Sequence, residues 1–453
     1  MGRSLGAVSV SLNETLARGD FSGALALVTP LLQTRPQDPA LLRLAGHCLA
    51  RLGRHDQSED HWLRALKEVP GCPEATCGLA ELRMDQGDFS AALLLFQSAP
   101  KNLRSQLGAL TALERAGQLE AAINLVEAEE ELLSDGQFAY AAAVALDRAG
   151  QSERALKILQ CAIDHQPQPI VQKRLWFRIG RLLDAAGDLG GAWSAWSTAN
   201  TLLEPTWDDK KTKRTFEAIK EIPIKSGTTP CDASPIFIVG LPRCGSTLLE
   251  SNLAKLAGVQ ALGEDSSLLR AAHSLSGGWP GGGGRLRTAP LPTGWWSHPG
   301  TATAFVDKNL FNHLVLPFIL HVLPNARFVH LRRNQDDTLL SCFAEPLPAR
   351  LHPWTTSPDR LRKYAAMHDD LMSHWSSNVP PEQWLEVSYE TMVQDMDASL
   401  HTIGQFADIN VDRKKLSSDA AAPTPITISY EQLGAISTTR SGRGKRYDSW
   451  FTR

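Results

Sequence analysis

The chain has no long apolar run and no excess of charge of one sign. Residues Met1 to Asp20 contain no apolar core of the kind that a secretory signal needs, and the most apolar stretch, Leu314 to Leu323, is too short to span a bilayer. The formal net charge of −3 over 453 residues predicts no general affinity for nucleic acid or for acidic membranes. These absences indicate a soluble cytoplasmic protein, long enough for two or three domains.

The cysteines also lack an ordered pattern. All seven are scattered without the paired spacing of a metal site, and their number is odd. Reduced thiols in a cytoplasm fit this distribution better than a disulfide framework does. We therefore expect no bound metal and no disulfide scaffold.

A further absence is one lysine in a candidate phosphate-binding loop. Pro235 to Val239 is an apolar run of strand length, the following loop carries Gly240 and Gly245, and a helical pattern begins at Ser246. A strand, a glycine loop and a helix N-terminus can cradle an anion, because the first amides of a helix have no partner within it. Gly240, Gly245 and Thr247 match the Walker spacing, but Ser246 occupies the lysine position.

Arg243 supplies the positive charge of this loop instead. A Walker lysine reaches the β- and γ-phosphates of a nucleoside triphosphate, so its absence argues against ATP or GTP as the ligand. An arginine variant fits a nucleotide that carries a single 5′-phosphate with a group attached to it. The loop alone leaves a second interpretation open, which is an ordinary strand–turn–helix unit of an α/β domain.

The N-terminal half contains an internal repeat. Glycines recur at intervals of 34, 34, 30, 33 and 37 residues, and each is followed five positions later by a small residue. A glycine can end one helix and a small residue lets the next helix pack closely, so the pattern predicts six helical hairpins. The glycines are Gly19, Gly53, Gly87, Gly117, Gly150 and Gly187, and the small residues are Ala24, Ser58, Ala92, Ala122, Ala155 and Ala192.

A two-helix unit of about 34 residues resembles the tetratricopeptide repeat, although Trp62 and Phe96 are only loosely placed in its consensus. Stacked units of this kind bury a continuous core and expose a groove, whose usual role is to hold a peptide or another protein. The alternative is an appendage that only stabilises the rest of the chain. We place the repeat domain at residues 1–205, a linker at 206–232 and the second domain at 233–453.

The second domain alternates strand and helix patterns. Ala326 to Leu331 is a strand that runs into Arg332-Arg333, and Trp384 to Glu390 is a strand with a turn. Such alternation predicts a parallel sheet with ligands at the carboxyl ends of its strands. The glycine-rich residues 276–284 form either a lid or a disordered insertion. The predicted fold class is α + α/β, an all-α tetratricopeptide-like solenoid followed by a P-loop-type α/β domain.

The residues from Ile236 to about Tyr447 resemble the PAPS-dependent sulfotransferases. Together with the repeats, the chain is similar to the tyrosylprotein-sulfotransferase-like group, which includes bacterial members with tetratricopeptide repeats. Six motifs in the family's order carry the resemblance. They are Pro242-Arg243-Cys244-Gly245-Ser246-Thr247, Gly263-Glu264, Asp307-Lys308, Arg333 with Ser341 eight residues later, Tyr389-Glu390, and Ser429-Tyr430-Glu431-Gln432.

The resemblance implies PAPS as the co-substrate, adenosine 3′,5′-bisphosphate as the product, and no metal. It implies Glu264 as the base that takes the proton of the acceptor hydroxyl, and Lys308 and Arg243 as the groups that meet the transferred sulfuryl group and the leaving phosphate. The implied contacts to the co-substrate are Arg243, Cys244, Gly245, Ser246 and Thr247 for the 5′-phosphosulfate, Arg333 and Ser341 for the 3′-phosphate, and also Tyr389, Ser429 and Arg443.

Several positions depart from the family pattern. Gly434 and Ala435 stand where a basic residue and a proline often occur, and Gly444 stands where an aromatic residue is expected. Glu264-Asp265-Ser266 lacks the arginine with which animal tyrosylprotein sulfotransferases help to hold an acidic peptide. The acceptor therefore stays open among a protein tyrosine, a saccharide and a small molecule.

Two residue types offer alternative chemistry. A positively charged loop can lower the pKa of a cysteine, yet we interpret Cys244 as a replacement for serine and not as a nucleophile. Related cytosolic sulfotransferases use a histidine base, and His273 and His313 are the candidates here. His313 falls within an apolar helical pattern, which indicates packing.

We therefore predict a sulfotransferase whose repeats dock or present the acceptor. A repeat scaffold with a nucleotide-binding but catalytically silent domain is the first alternative. A P-loop kinase is the second, and the missing Walker lysine together with the Arg333 and Ser341 pair argues against it.

Overall fold

The structure of the chain is a computed structural model that describes residues 12–224, 233–276, 302–409, 411 and 442–451. Two compact units divide after Leu182, so that the second begins at Leu183. Within the part of the chain that is described, no helix combines the length and the apolar character that a membrane span requires. The predicted fold class is confirmed, because a helical repeat region precedes a domain with a parallel sheet.

The first unit consists of antiparallel helices joined in hairpins. Each predicted glycine, including Gly187 at the start of the second unit, has a positive φ, between 72° and 87°, and therefore ends the first helix of its hairpin in the left-handed conformation. Each small residue five positions later is fully buried. The helices are α1 (Phe21–Thr34), α2 (Pro39–Arg51), α3 (His55–Glu68), α4 (Pro73–Asp85), α5 (Phe89–Ser98), α6 (Leu103–Arg115), α7 (Leu119–Ala128), α8 (Gly136–Arg148), α9 (Ser152–Asp164) and α10 (Pro169–Ala185), whose end lies in the second unit.

Trp62 and Phe96 fill equivalent places in successive repeats. The indole of Trp62 on α3 packs against Gly46 and Gly78, where an added Cβ would lie 2.9 Å and 2.6 Å from the ring. The ring of Phe96 on α5 meets Gly108 in the same way, at 2.3 Å. A large ring facing a glycine on a neighbouring helix is therefore the feature that these two repeats share.

The second unit contains a five-stranded sheet in the order β2-β3-β1-β4-β5. All four neighbouring pairs are parallel. Helices connect the strands, as parallel pairing requires. The elements are α11 (Leu189–Thr201), α12 (Asp209–Lys220), β1 (Ser234–Val239), α13 (Ser246–Leu253), β2 (Val259–Gly263), α14 (Ser267–Ser276), β3 (Ala304–Asp307), α15 (Leu316–Val322), β4 (Arg327–Arg332), α16 (Gln335–Phe343), α17 (Pro358–Asn378), β5 (Trp384–Ser388), α18 (Tyr389–Gln394), α19 (Met396–Ala407) and α20 (Asp448–Phe451).

The central strands are almost entirely apolar because helices cover both of their faces. Ile236 and Ile238 of β1 pack in one cluster with Leu249 and Leu253 of α13, while Phe237 stacks on Phe328 of β4 with 5.3 Å between ring centroids. Burial on both sides explains why β1 reads as a continuous apolar run and not as an alternating one.

Helix α11 is the second helix of the last hairpin, and it packs in the second unit. Trp193 stacks on Phe343 at the end of α16 with 4.6 Å between ring centroids, and the Asn200 side-chain amide donates to the Phe343 carbonyl at 2.8 Å. Trp196, which is fully buried, contacts Tyr447 at 5.5 Å. Residues 183–205 therefore contribute to the core of the sheet domain.

Residues 206–232, which the sequence suggests as a linker, include helix α12. Phe216 of this helix is buried against Tyr364 of α17, with ring centroids 5.8 Å apart. Lys220 at its end pairs with Asp370 of α17. The glycine-rich segment of residues 276–284 lies outside the described residues after its first position.

Replacing Trp196 by alanine tests the place of α11 in the second unit. We expect Trp196→Ala to lower the free energy of unfolding by about 3–5 kcal/mol, because a fully buried indole leaves a cavity. Leu203→Ala, at an exposed position after the same helix, is the control and should cost less than about 1 kcal/mol. Urea unfolding measures both, and equal effects would contradict the packing of α11.

Candidate functional site

The carboxyl ends of all five strands meet at one edge of the sheet, and each strand ends at a predicted motif. The chain leaves β1 toward β2 at one side of the sheet and leaves β4 toward β5 at the other, and this topology predicts a ligand-binding crevice between β1 and β4. The residues that follow the strands are Gly240 to Gly245 after β1, Glu264 after β2, Lys308 after β3, Arg333 after β4 and Tyr389 after β5.

The loop after β1 requires its two glycines for space. A Cβ on Gly240 would lie 2.6 Å from the Leu331 carbonyl oxygen, and one on Gly245 would lie 2.4 Å from the Tyr389 ring. Gly245 precedes the first turn of α13, where Ser246 and Thr247 lie. The loop thus passes close to β4 and β5, and the amides at the start of α13 lie at the same edge.

Arg243 connects this loop to helix α16. Its backbone has a φ of 70°, which is unusual for a residue with a side chain, and its Nε donates to the Ser341 hydroxyl at 3.0 Å. Its Nη2 lies 3.7 Å from a carboxylate oxygen of Glu345. The side chain is therefore held in place before any ligand arrives.

Arg333 completes this cluster from the other side of the crevice. Its Nη1 donates to the Arg243 carbonyl at 3.1 Å, and its guanidinium lies over the Tyr389 ring at 4.6 Å. The structure thus brings together Arg243, Ser341, Arg333 and Tyr389, which the sequence assigned to two different phosphates and to the nucleotide. A contiguous patch with two guanidiniums is suited to a ligand with two phosphate groups.

Cys244 does not have the lowered pKa that a positively charged loop can produce. Its side chain is buried, and burial raises the pKa of the thiol to about 11, which the nearby Arg333 opposes only in part. Cys342 behaves in the same way, with a pKa raised to about 12 by burial, and its thiol donates to the Pro242 carbonyl at 3.3 Å. The positive charge of the loop is therefore outweighed by the loss of solvent.

Glu264 and Lys308 form the second part of the site. The Lys308 ammonium donates to Glu264 Oε1 at 2.8 Å, and its side chain is only 3% exposed while that of Glu264 is 67% exposed. Glu250 of α13 lies on the buried side of the same ammonium, 3.9 Å away. The predicted base and the predicted sulfuryl contact are thus direct neighbours, at the ends of β2 and β3.

Arg443 is placed differently from the other predicted residues. Its Nε donates to Asp184 Oδ2 at 2.9 Å, and its guanidinium lies over Trp196 at 5.3 Å. The neighbouring Gly444 packs so closely that a Cβ would lie 2.4 Å from the Asp336 backbone, which accounts for the missing aromatic residue. Ser429 and the rest of its motif lie outside the described residues.

The histidines differ in their surroundings, because some pack in the core and one lies near the candidate site. His273 is exposed on α14, whereas burial lowers the pKa of His313 to about 3 and its ring packs edge-on against His368 at 5.0 Å. His352 lies near Glu264, whose carboxylate opposes in part the effect of burial on the pKa of this histidine. Burial lowers that pKa to about 4, and the ring stacks on Phe311 at 5.2 Å.

Sequence reasoning missed Glu250, Glu345 and His352 as neighbours of the site. Glu250 lies on α13, the helix that follows the β1 loop. A charged residue among the apolar positions of this helix was a sequence signal that could have identified it. Glu345 and His352 follow α16 in a segment without a recognisable motif, so their proximity to Arg243 and Glu264 depends on the fold alone.

Comparison with known proteins supports both halves of the resemblance. A model of the sulfotransferase family matches residues 289–413, and two tetratricopeptide-repeat models match residues 15–76 and 52–106. A provisionally named protein-tyrosine sulfotransferase of Caenorhabditis briggsae is 22% identical over 240 residues, which are 48% of this chain and 80% of that protein. An uncharacterised protein of Aquifex aeolicus is 23% identical over 424 residues, 84% of this chain, and the match spans 54% of its length.

A similar solved structure is a tetratricopeptide repeat protein from Parabacteroides merdae. It has 16% sequence identity and a TM-score of 0.38, and the match covers 46% of this chain and 80% of that one.

Acid should destabilise the second unit through its buried histidines. Burial lowers the pKa of His352 to about 4 in the folded chain. Below about pH 6.5 the imidazole is therefore protonated in the unfolded chain but stays neutral in the folded chain. Stability is full above pH 6.5 and is lost as the pH falls toward 4, by on the order of 2 kcal/mol at pH 5.

His352→Phe should remove this contribution, since a phenyl ring can stack on Phe311 but does not titrate. Urea unfolding at pH 7.5 and pH 5 measures the difference, and His401→Gln at an exposed position of α19 is the control. An unchanged pH dependence in His352→Phe would refute the assignment.

Proposed function

We propose that this chain, which joins tetratricopeptide repeats to a sulfotransferase-family domain, transfers a sulfuryl group from PAPS to an acceptor hydroxyl. The observation that carries the proposal is the convergence of two groups of residues at one sheet edge. Arg243, Ser341 and Arg333 form a cationic cluster beside the β1 loop, and Lys308 pairs with Glu264 at the ends of the adjoining strands. The first group suits a bisphosphate nucleotide and the second suits the reacting centre.

The donor would bind across the crevice between β1 and β4. The amides at the start of α13 and the Arg243 guanidinium suit the 5′-phosphate, which becomes the leaving group and gains negative charge during transfer. Arg333 and the Ser341 hydroxyl suit the 3′-phosphate, which simple nucleotides lack. Because Arg243 and Ser341 already contact each other, the cluster is arranged before binding and loses little freedom on capturing the ligand.

Transfer then forms a bond between the acceptor oxygen and sulfur while the bond from sulfur to the bridging phosphate oxygen breaks. The acceptor proton passes to Glu264, whose side chain is exposed and therefore reachable. The Lys308 ammonium stabilises the charge that develops between the sulfuryl group and the leaving oxygen. The product is adenosine 3′,5′-bisphosphate, and catalysis consists mainly of positioning and charge stabilisation.

The repeats would serve as a docking surface for a protein or peptide acceptor. A pocket of about 410 Å³ lies between α5, α6 and α7, and its lining includes Phe96 and Leu125 together with the amide side chains of Gln97, Gln106 and Asn124. Side-chain amides can both donate to and accept from a peptide backbone, so this lining is suited to an uncharged segment of chain.

The donor assignment predicts a difference between two nucleotides. Adenosine 3′,5′-bisphosphate should raise the melting temperature clearly more than AMP does, because only the bisphosphate engages Arg333 and Ser341. Arg333→Ala should abolish that difference. Arg332→Ala is the matched control, since the neighbouring guanidinium is exposed and faces Glu386 of β5, and it should leave the difference intact.

A thermal-shift series with both nucleotides and all three proteins measures the effect. Equal shifts from AMP and the bisphosphate in the unmodified protein would refute the 3′-phosphate site.

The base assignment predicts a separation of binding from turnover. Glu264→Gln should keep the affinity for the bisphosphate and lower turnover by about 100-fold or more, because the amide has nearly the same shape but takes no proton. Release of bisphosphate from PAPS in the presence of phenolic, saccharide and peptide acceptors measures turnover. Glu386→Gln, at a half-exposed position on β5, is the control. Turnover within a few-fold of normal in Glu264→Gln would assign the base to another group.

A further inference from the structure

Glu250 is a buried carboxylate directly behind the reacting edge of the sheet. It lies on α13, is 6% exposed, and accepts from the Gly263 backbone N–H at 2.9 Å through Oε1. Its other oxygen lies 3.9 Å from the Lys308 ammonium. Glu250 therefore contacts Gly263, which precedes the proposed base, and Lys308, which is the proposed sulfuryl contact, while it is itself buried.

The backbone on each side of Glu264 is held at fixed points. The Gly263 N–H bonds to Glu250, and the Gly263 carbonyl accepts from the Lys308 backbone N–H at 2.9 Å. The Asp265 carbonyl accepts from the Asn309 side-chain amide at 2.9 Å. These contacts leave the Glu264 side chain as the exposed part of this turn.

The charges around Lys308 have a further consequence. The ammonium is buried and contacts two carboxylates, Glu264 at 2.8 Å and Glu250 at 3.9 Å. When Lys308 turns to the sulfuryl group of the donor, its contact with Glu264 must weaken so that Glu264 can take a proton. A buried ammonium needs a compensating charge, and Glu250 is the carboxylate that remains.

We propose that Glu250 is a positioning residue for Lys308 and Glu264. Its fixed negative charge holds the Lys308 ammonium at the sheet edge while Lys308 exchanges Glu264 for the transferred group. The inference rests on the proposed sulfuryl transfer. It adds Glu250 as the residue that allows the Lys308 ammonium to move away from the Glu264 carboxylate.

A purely structural role for Glu250 makes a different prediction. If Glu250 only supplied an acceptor for the Gly263 N–H, glutamine would serve equally well, because its side-chain oxygen can accept the same hydrogen bond. The electrostatic role requires the charge, which glutamine lacks and aspartate retains with a shorter reach.

Glu250→Gln should lower kcat by about 10- to 100-fold, change the KM for PAPS by less than about threefold and leave the thermal shift by adenosine 3′,5′-bisphosphate unaltered. Glu250→Asp should recover part of the lost kcat. Glu114→Gln in the repeat unit is the matched control, because Glu114 is equally buried and pairs with Arg148, and kcat should not change. A normal kcat in Glu250→Gln would overturn the inference.

The pH dependence supplies a second signature. Burial raises the pKa of Glu250, the neighbouring Glu264 carboxylate adds to that rise, and Lys308 and the Gly263 N–H oppose it. Acid therefore neutralises Glu250 as the glutamine substitution does, so turnover of the unmodified protein should fall on the acid side. Glu250→Gln should show a weaker fall over the same range, whereas a merely destabilised variant would show a steeper one.

A readout independent of activity separates this inference from the proposed function. In protein labelled with ¹⁵N-glycine, the Gly263 amide should titrate with Glu250, with a midpoint above the ordinary 4.5. Lys308→Met should move that midpoint upward because the ammonium no longer favours the carboxylate. A midpoint that Lys308→Met leaves unchanged would overturn the inference, and absence of sulfuryl transfer alongside the shifted midpoint would overturn only the proposed function.

Discussion

The candidate site depends on one constraint, which is that all five strands of the sheet point in the same direction. Parallel pairing places the ends of β1 to β5 at one edge, so residues that lie 98 or 44 positions apart in sequence become neighbours. Arg243 and Ser341 meet in this way, and so do Glu264 and Lys308. Reversal of a single strand would carry its motif to the opposite edge and separate the proposed donor contacts from the proposed reacting pair.

Much of the fold was predictable from local signals. The six glycines, each with a small residue five positions later, marked the repeats because backbone conformation and close packing leave few residue types possible at those places. The apolar run of β1 and the glycines after it indicated the phosphate-binding loop, again because backbone conformation and close packing restrict the residue types at those positions. The packing of α11 in the second unit was not predictable, since Trp193 and Trp196 look like repeat residues until their partners Phe343 and Tyr447 are known.

The site residues that belong to recognisable motifs were predictable from the sequence, whereas the properties that depend on burial in the folded chain were not. Arg243, Arg333, Glu264 and Lys308 were named from the sequence, and the structure places them at one edge. The raised pKa of Cys244 was not visible from the sequence, because the sequence shows the positive charge of the loop but not the absence of water around the thiol. Glu250 and His352 were missed because their importance comes from neighbours that only the folded chain supplies.

The close approach of Gly444 to the backbone of α16 makes residues 442–447 part of the scaffold of the candidate site. Asp337 on α16 accepts from the Gly442 and Gly444 amides at 2.8 Å and 2.6 Å, and Arg443, Arg446 and Tyr447 all bond to Asp184. Ser341 lies one turn farther along α16 from Asp337. Proteolytic clipping before Gly442 would therefore disturb the helix that carries Ser341, a proposed donor contact, even if no residue on the clipped side touches the donor.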